Sequence, residues 1–178
     1  MDEIVIVEYD PCWPSLFEAE KAKLQKVLDT ELVVSIEHIG STAVLGLAAK
    51  PIIDLMVVIR SLNVAKQAVP LLEKLDYVYW HDNPDSNRLF FVKGLPPYDL
   101  QRTHHIHMVE AESKFCERSL FRDYLRIHLD EAKRYEALKR DLAVRFRSDR
   151  EGYTNGKSEY IQTVMAQARQ WQSYEWSQ

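Results

Sequence analysis

Residues 51–59, PIIDLMVVI, constrain the fold more than any other stretch of the chain. A near-continuous apolar run of strand length fits a strand buried in the middle of a sheet, covered on both faces. Within that run stands Asp54. A carboxylate there is expensive to bury unless it is paired, hydrogen-bonded or bound to a cation. One segment thus marks both the centre of the fold and a place where chemistry is expected. Its bland alternative is a partly buried Asp54 satisfied by backbone donors or by Lys50.

The remaining patterns fill in an α/β (α+β) fold. Strands are expected at 4–8, 32–39, 77–80, 88–92 and 103–109, where β-branched and aromatic residues run between polar turns. Helices are expected from Ser15 to Leu28, from an Asn63 cap to Leu75, from a Ser113 cap to His128 and from Asp130 to Phe146. A last helix runs from Lys157 to Trp171, preceded by Gly152 and Gly156. The 178 residues and 46% hydrophobic content suit one domain: a mixed sheet with flanking helices over about 1–112, then a helical C-terminal third over about 113–178. No linker composition separates the two parts, which favours packing of the helices on the sheet.

Several classes are disfavoured. The net charge of −4 does not attract nucleic acid or an anionic membrane. The only two cysteines, Cys12 and Cys116, form neither a disulfide framework nor a thiolate metal motif. No apolar run approaches the ~20 residues that span a bilayer, and the first residues lack a basic leader. A cytoplasmic protein is expected, with nucleic acid an unlikely partner and its oligomeric state open.

The chemistry-bearing residues cluster. Gly40-Ser41-Thr42 follows the 32–39 strand, where exposed backbone N–H groups can hold a phosphate. The Gly-Lys-Ser/Thr ending of a P-loop is absent, so that reading fails. On strand 103–109, alternation places Thr103, His105 and His107 on one face and His104, Ile106 and Met108 on the other. His-x-His suits a borderline metal such as zinc or manganese. His105 or His107 can equally serve as general base or phosphate contact. Arg88, Lys93 and Arg102 flank the strands, and Lys157 has Tyr153 and Tyr160 nearby in helical period. These cations, with Lys50, are candidate phosphate ligands. Arg118, Arg122 and Arg126 recur every four residues and read as a salt-bridged solvent face with Asp123 and Asp130.

The spacing from Gly40-Ser41 to the Asp54 strand resembles the start of the polymerase-β-type nucleotidyltransferase fold. More specifically, the chain resembles the GrpB-like family, generally placed in that superfamily. Val7-Glu8-Tyr9-Asp10 with Trp13-Pro14, Glu37-His38-Ile39-Gly40-Ser41-Thr42 and Lys50-Pro51-Ile52-Ile53-Asp54 carry the match. Arg102-Thr103-His104-His105-Ile106-His107, Phe121-Arg122-Asp123-Tyr124-Leu125-Arg126, Tyr153-Thr154, Gly156-Lys157 and Ile161 continue it over nearly the whole chain. The resemblance implies a sheet of nucleotidyltransferase type, a nucleoside triphosphate or related phosphometabolite as ligand, and Mg²⁺ (or Mn²⁺) as cofactor. It places the histidine strand beside Asp54. Active nucleotidyltransferases carry a second acid two residues after the first, where this chain has Met56. Asp54, Glu37 and His107 are the expected metal ligands.

Three functions follow. In the first, Gly40, Ser41 and Thr42 position a triphosphate, Asp54 with Glu37 holds the ion, His105 or His107 adds a ligand or base, and the cations balance charge while a nucleotidyl group is transferred. The second is a non-catalytic nucleotide- or phosphometabolite-binding module. Here the family's occurrence attached to dephospho-CoA kinase in some bacteria implies a coenzyme-A-related role. The third is a hydrolase with a metal on His105, His107 and Asp54.

Overall fold

The apolar run forms β2 (Ile53–Ile59), an interior strand of a five-stranded mixed sheet. The computed structural model describes residues 3–95 and 101–175. Strands β1 (Val33–Ile39), β3 (Tyr77–Tyr79), β4 (Arg88–Lys93) and β5 (His104–Glu110) complete the sheet in the order β1-β2-β5-β4-β3. Only the β2–β5 pair is parallel; the other neighbours run antiparallel. The connection between β2 and β5 passes through β3 and β4, so the site strands are adjacent in space and distant in sequence.

Strand pleat sorts the side chains onto two faces. Ile36, Leu55, Val57, Ile106, Met108 and Phe91 turn toward α1 (Trp13–Val27), α2 (Leu62–Ala65) and α3 (Val69–Glu73), forming the main apolar core. Helix α1 begins two residues earlier than the sequence indicates, with Pro14 in its first turn, where a missing N–H leaves no intrahelical bond unmade. The single helix expected at 63–75 is instead α2, a 3₁₀ turn over Lys66–Ala68 and α3. Pro70 opens α3 because its ring cannot continue the preceding helical bonds. The cap expected at Asn63 is replaced by Glu110, whose carboxylate accepts from the Leu62 N–H at 2.9 Å.

The strand expected at 4–8 is a single bridge between Val7 and Ala49. Ile4 N–H donates to the Arg147 carbonyl and Val7 N–H to the Ala49 carbonyl, so the segment divides its bonds between two partners and builds no ladder.

The other face carries Ile39, Met56, Val58 and Val109 under Phe115 and Cys116, and beyond them the C-terminal helices. Ser113 caps a 3₁₀ turn at Lys114–Cys116, which delays α4 to Glu117–Ile127. Helix α5 (Leu129–Arg145) is followed by α6 (Arg150–Asn155), then α7 (Ser158–Glu175). Gly152 lies inside α6, a helix not anticipated from the two glycines; Asp149 caps it by accepting from the Gly152 N–H at 2.9 Å. Among the described residues no helix is long and apolar enough to cross a membrane.

Candidate functional site

Parallel pairing of β2 with β5 sets Asp54 opposite His105 and Met56 opposite His107, while β1 sets Ile39 opposite Asp54. All of these side chains share the face toward the C-terminal helices. Strand β1 ends there at Gly40, whose φ is 75°. A Cβ on Gly40 would stand 2.5 Å from Asp54 Oδ2, so the turn needs glycine for its backbone and for its bare Cα.

Asp54 Oδ1 accepts from His105 Nδ1 at 2.9 Å and lies 3.7 Å from His107 Nε2. Its side chain is 27% exposed. Burial works to raise the Asp54 carboxyl, but hydrogen bonds and proximity to His105 and His107 hold it below the usual carboxylate range. Burial pushes His107 down to about 4, against the pull of Asp54. Arg88 Nη1 lies 3.0 Å from His107 Nδ1. A guanidinium only donates, so Nδ1 accepts, and in the neutral ring Nε2 carries its proton toward Asp54. His107 is further held between Phe90 and Phe115, at centroid distances of 4.8 and 4.7 Å. His105 Nε2 is buried and, among the described residues, has no hydrogen-bond partner.

Asp54, His105 and His107 offer ligand atoms that all lie within 4.8 Å of one another. Two nitrogens and one carboxylate suit manganese, zinc or iron better than magnesium, which prefers oxygen. Binding an ion displaces the protons facing Asp54 and requires Arg88 to release His107 Nδ1.

Gly40 and Ser41 also line an open cleft of about 790 Å³, together with Phe115, Arg118, Tyr135 and Met165. The other sequence candidates distribute as follows. Thr42 is buried and hydrogen-bonded to His38 and the Ile52 carbonyl, so its hydroxyl serves the loop. Lys93 lies on the opposite face of the sheet from Asp54, bound to Glu20 at 2.8 Å. Arg102 packs over Trp80 at 5.6 Å. Lys50 and Lys157 both stand over the Tyr153 ring. Glu37 pairs in register with Met56, and its carboxylate bonds Ser119 and Arg122 on α4, not the Asp54 cluster.

Arg122 and Arg126 make the expected ion pairs with Asp123, at 2.7 and 3.3 Å, but they are not simply a solvent face. Arg122 also donates to the His38 carbonyl at 2.8 Å, and Arg126 grips the Ala43 carbonyl at 2.9 and 3.1 Å. Arg122 thus ties α4 to the end of β1, and Arg126 clamps the β1–β2 connection, whose carbonyls need donors. Arg118 stacks on Phe115 at 4.7 Å and lines the cleft. Lys139 and Phe115 went unnoticed in the sequence: a lysine at a core-facing helical position was the available signal for the first, and nothing marked the second.

A five-stranded mixed sheet with flanking helices, carrying an Asp-His-His cluster behind a glycine turn, defines the class of protein. The chain belongs to the GrpB protein family, whose model matches residues 3–167. It is 42% identical over 94% of its length to a UPF0157 protein of Pseudomonas aeruginosa, covering 68% of that protein. It is 33% identical to the glutamate-rich protein GrpB of Alkalihalophilus pseudofirmus, covering 92% of this chain and 94% of that one. A UPF0157 protein of Bacillus subtilis is 37% identical, and the chain spans 48% of it. The crystal structure of the conserved protein GrpB from Enterococcus faecalis superposes with a TM-score of 0.83 at 31% identity, over 92% of this chain and 96% of that one.

Proposed function

We propose that the protein binds a nucleoside triphosphate or related phosphometabolite in the cleft and acts as a metal-dependent nucleotidyltransferase. The observation that carries this reading is the convergence of Asp54, His105 and His107 directly behind the Gly40 turn. One divalent ion, manganese or zinc in preference to magnesium, would be held by those side chains and would polarise a phosphate oxygen. Gly40 permits close approach of the ligand to the backbone, and Ser41 stands at the cleft wall beside Tyr135. Arg118 supplies positive charge from the same wall. Asp54 keeps both histidines oriented through their ring N–H groups.

Met56 favours a second reading. It is 1% exposed and packed with Ile39, Val58 and Val109, so the place of a second acid is built into the apolar core. A site with this single carboxylate serves a non-catalytic nucleotide-binding or coenzyme-A-related accessory module as well as an enzyme.

The test is thermal stabilisation by nucleoside triphosphates and coenzyme A precursors, each with Mn²⁺, Zn²⁺, Mg²⁺ or chelator. Binding at ~100-fold excess over Kd stabilises the fold by about 2.7 kcal/mol. A response to triphosphate with Mn²⁺ that disappears in Asp54→Asn supports the metal site, and turnover of the bound triphosphate then supports the enzyme. Binding without product supports the accessory module. No response to any nucleotide or coenzyme A precursor with any ion sinks both.

A further inference from the structure

The cleft that opens at Gly40 and Ser41 is lined by two unlike sets of side chains. Phe121 of α4, Tyr135 of α5 and Ile161 and Met165 of α7 make an apolar set. Tyr135 is buried, braced edge-on by Phe121 at 5.3 Å and by a parallel stack on Tyr160 at 5.6 Å. These rings and Ile161 belong to the apolar cluster of the helical layer, so this lining is the open edge of a packed core. Covering such an edge is favourable for a ligand with an apolar body of its own.

The second set is charged. Asp85 ahead of β4, Glu110 at the end of β5, Glu112 beyond it and Glu117 at the start of α4 all line the cleft. Most of this charge is matched within the fold: Glu117 meets Arg169 at 2.6 Å, and Asp85 lies 3.3 Å from Arg88 Nε. One Glu110 oxygen accepts from the Leu62 N–H. Glu112 and Lys114, both exposed, offset each other in charge. Arg118 is the lining cation that remains. Among the described residues it meets no carboxylate within ion-pair distance, and its guanidinium rests 4.7 Å from the Phe115 centroid. Its charge is felt at Arg88 and at Tyr135, so it acts inside the cleft. A cation–ring contact positions a guanidinium without neutralising it. A polyphosphate would find this one cation and several carboxylates repelling its surplus charge. A single phosphate finds the cation and brings little surplus.

We propose that the cleft takes a phosphomonoester group borne on an apolar or aromatic body: Arg118, held by Phe115, meets the phosphate, and Phe121, Tyr135, Ile161 and Met165 cover the body. This rests on the reading of the cleft as a phosphometabolite site and names the class of ligand within it. Further phosphates, where a ligand carries them, belong at the Asp54-His105-His107 cluster with its metal.

The probes are 2-naphthyl phosphate, inorganic phosphate and inorganic tripolyphosphate, each titrated calorimetrically into the whole protein with chelator present. Naphthyl phosphate is expected to bind saturably and at least about tenfold tighter than inorganic phosphate, through the apolar area it covers. Tripolyphosphate is expected to bind no tighter than phosphate. Arg118→Met should weaken naphthyl phosphate by about tenfold or more, the effect of removing one charge-assisted hydrogen bond, with partial recovery in Arg118→Lys. Ile161→Asn should weaken naphthyl phosphate and leave inorganic phosphate unchanged, and a thermal melt of each variant verifies folding. Tripolyphosphate binding tighter than naphthyl phosphate, or full affinity in Arg118→Met, overturns the proposal. Nucleotide binding with Mn²⁺ but no binding of naphthyl phosphate overturns it too, and leaves the metal-dependent reading standing. Naphthyl phosphate binding without any nucleotide response supports the ligand class and sinks that reading alone.

Discussion

Glu20 and Asp54 are carboxylates lodged against opposite faces of the same sheet, and their surroundings differ in kind. Glu20, 2% exposed, accepts from Lys93 and Lys23 at 2.8 Å each and from the Tyr77 hydroxyl at 3.1 Å. Burial works to raise its carboxyl, and the two lysines bring it below the ordinary value. Asp54 is met by two histidine rings, the other nitrogen of one being occupied by Arg88 and that of the other buried with no partner among the described residues. A buried charge matched by full opposite charges within the fold is architecture. A charge held by exchangeable ring donors behind a glycine turn has capacity left for a ligand.

The contrast can be broken most forcefully at Glu20. Glu20→Ala strands Lys93 and the Tyr77 hydroxyl, and we expect a loss of about 3–5 kcal/mol in urea denaturation. Asp54→Asn should lose far less stability while abolishing metal-dependent ligand binding. Equal destabilisation by the two would erase the distinction.

Lys139 carries the comparison to a buried cation with no carboxylate in ion-pair contact among the described residues. Its amine is lowered from the ordinary 10.5 to about 7, so between these values the unfolded chain binds the extra proton. Stability therefore rises with pH from about 7 toward 10. Lys139→Met should flatten that rise, an effect on the order of 2–4 kcal/mol across the window, read from melts at stepped pH. An unchanged slope would mean that Lys139 is neutralised by a partner as Glu20 is.

Gly40→Ala tests whether the turn and Asp54 are one unit. A positive φ and a Cβ 2.5 Å from Asp54 Oδ2 predict a loss of about 1–3 kcal/mol. The same variant should displace Asp54 and weaken metal binding. Normal Mn²⁺ affinity with lowered stability would uncouple them.

The smallest expected effect is at Arg88. Since Arg88 occupies His107 Nδ1, Arg88→Met should free the ring to ligate and raise Mn²⁺ or Zn²⁺ affinity, by about tenfold for a second-neighbour change of this kind. Weaker metal binding in Arg88→Met would make Arg88 a support of the site instead of a competitor.

Much of this site was legible in the chain. Asp54 announced itself as a carboxylate in an apolar run, and alternation alone put His105 and His107 on one face. Arg88 and Lys93 stand five residues apart on one strand, so the pleat obliges them to face opposite sides; only pairing with β5 shows that Arg88 reaches His107 and Lys93 reaches Glu20. Glu37 was a reasonable ligand candidate from its place before Gly40. Register set it across from Met56, and Arg122, far along the chain, took its carboxylate.

By itself the sequence determined the features that repeat locally: strand and helix periods, the glycine that turns after β1, and the one apolar strand with an acid in it. These depend on backbone geometry within a few residues, and they survive any arrangement of the elements. Tertiary structure decided the partnerships. A parallel register between β2 and β5 joins Asp54 to His105 across two intervening strands, and a one-residue slip would turn the histidines away. The helical layer then decided which cations met a carboxylate and which, like Lys139 and Lys157, were left facing rings and one another.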